Sequence, residues 1–388
     1  MPVGISFYIL YLISYNIEVY RGKIPVTKDF VSFALSVAYF PKLISGPISR
    51  PSNFLPQISQ KREIKWEKIS GGIQLLLLGF LKKKTIADVI GYVIDGFYQD
   101  PNSVNSGTAL IIVFLYVIQI YADFSGYSDI ARGLSKFFGI ELMINFNQPF
   151  LSTNITDFWR RWHISLMSWL RDFIYIPLGG SQRGFVKMLV ILMIVFIVSG
   201  AWHGVGRLYI LWGFLSWIPI VFHKIYVMKI LPFCTQISHH RKENKNVTSG
   251  SISSDKALST NLQNGIRTKN GIISIFYSGF SWFITIQSIC FTWIFFRATS
   301  LENAFLIIEK AYIHLFLNFS PPDITYLILF FFSFILIGLV DIIQAKWKTH
   351  EIFTDLPWYI NGIIYAAIII MILLFQFDYS PPFIYQGF

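Results

Sequence analysis

Apolar residues fall in long runs separated by short polar stretches, and run length predicts the elements. About 20 apolar residues of helix cross a hydrocarbon core of about 30 Å. Ala109 to Tyr121 with its flanks, Val186 to Trp202, Leu208 to Leu231, Ile272 to Phe296, Ile324 to Val340 and Trp358 to Phe375 approach or reach that length with few charges. Pro2 to Ile17, Phe30 to Ile44 and Ile69 to Leu81 are shorter candidates. The pattern predicts an all-α polytopic membrane protein with roughly eight to ten spans. Residues 1–388 are expected to form a single membrane domain. One segment breaks the pattern: Ser238 to Asn270 is polar, rich in Ser and Asn and without apolar periodicity, so it reads as a disordered cytoplasmic insert.

Composition agrees with this class. Of 388 residues 54% are hydrophobic, 18% aromatic and only 14% charged. The net charge of +11 is spread over loops beside apolar runs, which fits membrane topology and lipid headgroups rather than nucleic acid. Basic stretches at Arg160 to Lys187, His239 to Lys269 and Lys346 to Lys348 are expected on the cytoplasmic side, and Pro101 to Gly107, Gly204 to Arg207 and Asp378 to Phe388 outside. Val186 to Trp202 then runs outward and carries His203 toward the outer face. The basic residues at Arg21 and from Lys61 to Lys68 flank one apolar run, so Phe30 to Ile44 is expected to be re-entrant unless the span count is off. Cys234 and Cys290 sit in or beside apolar segments and make no disulfide framework. His239 and His240 lack further ligands at zinc-like spacing, so no metal site is expected.

Three segments exceed what anchoring requires. "YADFSGYSDIARG", Tyr121 to Gly133, carries Asp123 and Asp129 after an apolar run. A carboxylate at helix-core depth costs about 2.5–3.5 kcal/mol on insertion scales. These acids therefore face protein or a wet cavity, or else sit at the interface and cap a following helix. In "TDFWRRWHISLMSWLRDFIYIPLGG", Thr156 to Gly180, Trp159, Trp162, Leu166, Trp169, Leu170 and Phe173 share one helical face. Arg160, Arg161, Ser165, Ser168, Arg171 and Asp172 share the other. This predicts one amphipathic interfacial helix that stops before Pro177, with His163 along its apolar stripe as a packing residue or a functional one. In "SGAWHGVGRLYILWG", Ser199 to Gly213, His203 follows Trp202 among Gly200, Gly204 and Gly206. It reads as a proton acceptor at neutral pH, with glycines admitting a close approach and Trp202 excluding water, or as an interfacial histidine beside an interfacial tryptophan.

Taken together with "PVGISFYILYLISYNIEVYRG", "YFPKLISGPISRPSNFLPQ", "NFNQPFLSTNITDFWRRWHISLMSWLRDFIYIPLGG" and "FTWIFFRATSLENAF", these segments resemble the membrane-bound O-acyltransferase family. The likeness is to its bacterial branch that includes alginate O-acetylases. The motifs run in family order over nearly the whole chain. The resemblance implies a helical fold around a central funnel and tunnel, with an acyl donor reached from the cytoplasm and an acceptor from outside. It implies that His203 is the catalytic histidine and His163 the second characteristic one. Asp123, Asp129, Asn145, Trp159, Arg160, Arg161 and Trp202 are expected in supporting or substrate-lining roles.

No bound cofactor is expected; acetyl-CoA or another activated acyl group would serve as co-substrate. Expected partners are a polysaccharide acceptor, membrane lipids and a periplasmic or extracellular acyl-transfer protein, with no nucleic acid, and the expected site is the bacterial cytoplasmic membrane. Teichoic acid, peptidoglycan, a lipid or a protein as acceptor are the alternatives, as is a non-enzymatic transporter. The bacterial relatives carry helices upstream of the "PVGIS" element, which here begins at Pro2, so a fragment, a misplaced start or a shortened member needing a partner is expected.

Overall fold

The computed structural model describes residues 4–204, 206–232, 271–353 and 356–375. Cys234, His239, His240, the insert from Ser238 to Asn270 and the C-terminal "PPFIYQGF" lie outside them. Sixteen α-helices and several π- and 3-10-helical turns are present among the described residues, and no strand. Among the described residues five stretches are long and apolar enough to cross a membrane: Ser106–Phe137, Phe185–His203, Arg207–Ile230, Ile275–Arg297 and Ile324–Trp347; Trp358–Leu374 is a shorter apolar helix. Phe30 to Ile44 breaks into α2 (Phe30–Val37) and α3 (Phe40–Leu43), because Pro41 has no N–H to donate to the Val37 carbonyl four residues earlier and Tyr39 turns extended. Helix α1 (Ile5–Tyr20) has 16 residues, α4 (Pro51–Ser59) has 9, and α5 (Trp66–Phe80) has 15 before a π-helical turn.

The centre of the molecule is α7, Ser106–Phe137. Its 32 residues span about 48 Å, and most of them are buried. The Asn105 side chain accepts the Thr108 N–H at its start, and Gly139 in the left-handed region ends it. Asp123 and Asp129 thus lie inside one continuous helix, not at the cap of a following one. Helix α5 can lie against it because glycines face each other twice. A Cβ on Gly79 would fall 2.7 Å from the Gly126 carbonyl oxygen, and one on Gly72 would fall 2.9 Å from that of Gly133. Backbone contact of this kind is how membrane helices associate when lipid removes the hydrophobic drive between them.

After α5 the chain runs through a π-helical turn, Leu81–Ala87, into α6 (Asp88–Gln99). Two consecutive lysines of that turn are buried against α7. Lys82 Nζ lies 2.7 Å from Asp129 Oδ2, and Lys83 Nζ 2.8 Å from Asp123 Oδ1 and 2.7 Å from Asp88 Oδ1.

Candidate active site

The stretch from Thr156 to Gly180 is not one amphipathic helix. It forms α8 (Ile155–Arg161) and α9 (Ile164–Leu170), with His163 between them at φ 44°. A residue with a side chain pays for the left-handed region, and here Asn145 holds the break in place. The Ile164 N–H donates to the Asn145 carbonyl at 2.8 Å, and the Ser165 hydroxyl donates to Asn145 Oδ1 at 2.8 Å. Ser165, expected on a polar outer face, is therefore buried. A π-helical turn, Arg171–Tyr175, follows α9.

His203 is the last residue of α10 (Phe185–His203), which pairs with α11 (Arg207–Ile225). Gly200 and Gly213 are required by that pairing. A Cβ on Gly200 would fall 2.2 Å from the Tyr209 carbonyl oxygen, and one on Gly213 2.3 Å from that of Phe196. Gly204 lies against the Tyr209 ring, 2.5 Å from where its Cβ would stand. Gly200 and Gly204 thus serve helix contact, not the close approach of a substrate.

Folding brings the two histidines together. Both are buried, and their ring centroids are 6.4 Å apart. Trp202 stands 6.0 Å from the ring of His163 and 4.9 Å from that of His203. Trp212 and Phe296 meet His203 edge to face at 5.2 and 5.4 Å, and Phe124 meets His163 at 4.7 Å. Trp159 stands one layer back, 6.1 Å from Trp212. The pair sits in an aromatic enclosure that excludes water on these sides.

Two small cavities lie nearby, neither lined by a histidine of the pair. One, beside Asn145, has about 10 Å³ of free space, room for about one water, and is lined also by Lys82, Ser125, Asp129, Gln344 and His350. The Ser125 and Ser128 hydroxyls, Asn145 Nδ2, Gln344 Nε2 and both ring nitrogens of His350 have no hydrogen-bond partner among the described residues. Burial, and then the Arg132 charge, push the His350 imidazole down to about 4. The other, equally small, lies beside Phe7, whose ring meets Trp202 at 5.2 Å.

Of the residues singled out by sequence, Trp202 borders the pair, Asn145 holds the backbone beside His163, and Asn145 and Asp129 line the polar cavity. Asp123 pairs with Lys83. Arg160 is exposed, and Arg161 Nε pairs with Asp157 Oδ2 at 2.9 Å, so neither is brought to the histidines. Sequence reasoning missed Lys82, Lys83, Gln344 and His350. "LKKKT" at the end of an apolar run reads as a juxtamembrane basic cluster, and the only signal for its burial is the unexplained carboxylates of α7.

The family model for the membrane-bound O-acyltransferase family matches residues 14–248, which include both histidines. The chain belongs to that family and is a multi-pass membrane protein. It is 44% identical over 213 residues to the probable alginate O-acetylase AlgI of Pseudomonas putida, covering 55% of this chain and 44% of that protein. It is 31% identical over 338 residues to the peptidoglycan O-acetyltransferase of Helicobacter pylori, covering 80% and 56%. With the teichoic acid D-alanyltransferase of Bacillus subtilis it shares 31% identity over 190 residues, covering 46% and 47%. The chain spans about half the length of the curated relatives it matches.

Proposed function

We propose that this chain is a membrane O-acyltransferase that moves an acyl group, acetyl in the first instance, from an activated thioester to a hydroxyl of an extracytoplasmic polysaccharide, and that it works in the bacterial cytoplasmic membrane. The observation that carries the reading is the pair of buried imidazoles inside one aromatic enclosure. Proton transfer at such a site is worth about 10²–10⁴-fold in rate. In the reaction the imidazole of His203 takes the hydroxyl proton while the alkoxide oxygen bonds to the thioester carbonyl carbon. The tetrahedral intermediate then collapses, the carbon–sulfur bond breaks, and the imidazolium returns the proton to the departing thiolate. No covalent acyl-enzyme is needed.

His163, fixed by the Asn145 clamp, positions the reacting groups from across the enclosure. The names of the relatives supply three candidate acceptors: alginate, peptidoglycan and teichoic acid. The likeness to alginate O-acetylases favours a polysaccharide, and a separate extracytoplasmic protein is a candidate for carrying the group onward.

The test is acyl content of extracellular glycans by mass spectrometry in a deletion strain. The strain is restored with the wild type or with His203→Ala at equal membrane abundance. Restoration by the wild type alone is expected; full restoration by His203→Ala would sink the assignment.

A further inference from the structure

Buried polar atoms without partners gather in one place. The Ser125 and Ser128 hydroxyls, Asn145 Nδ2, Gln344 Nε2 and both ring nitrogens of His350 have no hydrogen-bond partner among the described residues, and all five side chains line the small cavity beside Asn145. They come from separate parts of the chain: α7, the stretch that follows it, the end of the helix Ile324–Trp347 and the residues just beyond. Ser125, Ser128, Asn145 and Gln344 are at most 2% exposed. Buried groups of this kind are paired in native proteins, with ordered water where the protein offers no partner.

Both amides keep their nitrogens for the cavity. Asn145 Oδ1 accepts the Ser165 N–H at 3.2 Å and the Ser165 hydroxyl at 2.8 Å, so Nδ2 is the remaining polar atom of that side chain. Gln344 Oε1 accepts from Gln148 Nε2 at 3.3 Å, and its own nitrogen can only donate. His350, kept neutral by burial and then by the Arg132 charge, has one ring nitrogen that can only accept. Two donors and an acceptor around one space call for a molecule that both accepts and donates, and an ion of either sign satisfies one kind alone. Asp129, the one carboxylate in the lining among the described residues, is already met by Lys82 and Arg132, which leaves no seat for a metal cation. The free space of about 10 Å³ matches one water.

We propose that this cavity binds one ordered water, which accepts the N–H groups of Asn145 and Gln344 and donates to His350 and a serine hydroxyl, and that this water fixes the amide on which the break at His163 rests. Asn145 is the shared member. Its carbonyl and Oδ1 hold Ile164 and Ser165 just past His163, and its Nδ2 holds the water. Gln344 and His350 are then positioning residues: they act on the histidine pair through the water and Asn145 and touch no reacting atom. The water site follows from the geometry, while its effect on catalysis rests on the transfer reading above.

The experiment uses the full chain in detergent, as wild type, Gln344→Leu, His350→Leu, His350→Gln and His203→Ala. A structure at a resolution that shows ordered water, determined with and without bromide, is expected to place one water within hydrogen-bond reach of Asn145 Nδ2 and Gln344 Nε2. It should be present in the wild type, His350→Gln and His203→Ala, and lost in Gln344→Leu. In a transfer assay Gln344→Leu and His350→Leu are expected to lower kcat about 10- to 100-fold through misplacement of His163, with the KM of donor and acceptor little changed. His350→Gln keeps a donor and an acceptor and should lose much less. A wild-type map with no water there, or with bromide in its place, overturns the proposal whatever the variants do. So do Gln344→Leu and His350→Leu proteins that melt at lower temperature yet keep their kcat, which is what a merely structural water gives. Transfer that survives His203→Ala sinks the histidine assignment and leaves the water in the map standing.

Discussion

His163 and His203 face each other at 6.4 Å between ring centroids, with Trp202 against both. They come from opposite constructions: one interrupts a helical segment, the other ends a helix. If they act on one reaction, their substitutions should not add. His203→Ala is expected to lower the transfer rate by about 10²–10⁴-fold and His163→Asn by a smaller factor. The double variant should be little slower than His203→Ala alone. Single-turnover acetyl transfer in membranes of matched abundance measures this. Strictly multiplicative losses would mean that the two imidazoles serve separate steps.

Asp129 is held by Lys82 at 2.7 Å and Arg132 at 3.2 Å, all three buried. Removing one partner of a buried pair leaves a stranded charge at a cost of about 3–5 kcal/mol. Asp129→Asn should therefore cut the yield of folded protein and its melting temperature. Pairing it with Lys82→Met should recover part of the loss, because one uncompensated cation goes with the carboxylate. Thermal unfolding in detergent decides, and a double variant worse than the single one would contradict the pairing.

The close approach of α5 and α7 gives a sterically sharper expectation. Gly79→Ala and Gly126→Ala each place a methyl group within 2.7–2.8 Å of the facing backbone oxygen. Overpacking of this kind costs about 1–3 kcal/mol, and it should also shift Lys82 away from Asp129. Gly279 and Gly362 lie in helices with nothing within 4 Å of the added Cβ, so Gly279→Ala and Gly362→Ala should leave the melting temperature nearly unchanged. Equal effects at all four positions would mean that the glycine contact does not hold the helices.

Much of this was readable from local pattern, and what was missed shares a physical cause. Apolar runs locate the five longest helices to within a few residues, except that α7 continues through Asp123 and Asp129 to Phe137 and the helix from Ile324 continues through Asp341 to Trp347. A run of apolar positions ends at the first acid, whereas a helix continues if a partner neutralises it, and the partners Lys82 and Lys83 lie on another helix. The break at His163 has no proline or glycine to announce it; the competing hydrogen bonds come from Asn145, outside the helical segment. Gly200 and Gly204 admit a close approach, as their positions around His203 suggest, and it is α11 that makes it. His203 was legible from its neighbours. His350 and Gln344, beside a basic stretch that reads as a cytoplasmic loop, were not.

Acid should destabilise the protein before its carboxylates protonate, and His350 supplies the reason. Burial first, then Arg132, hold its imidazole at about 4, against 6.5 for an ordinary histidine. Below pH 6.5 the unfolded chain takes up a proton at this position while the folded chain does not. Folding stability therefore falls as pH drops from 6.5 toward 4, and this contribution levels off below that. The loss reaches at most about 2 kcal/mol at pH 5, less whatever solvent screens at a half-buried side chain. Melting temperatures in detergent at pH 8, 6.5 and 5 should decline mainly across the last interval, and His350→Gln should make the decline shallower. A stability that is flat or rising from pH 8 to 5 would show that the imidazole is charged in the folded protein and pairs there with Asp129, and a decline that His350→Gln leaves unaltered would show that other groups cause it.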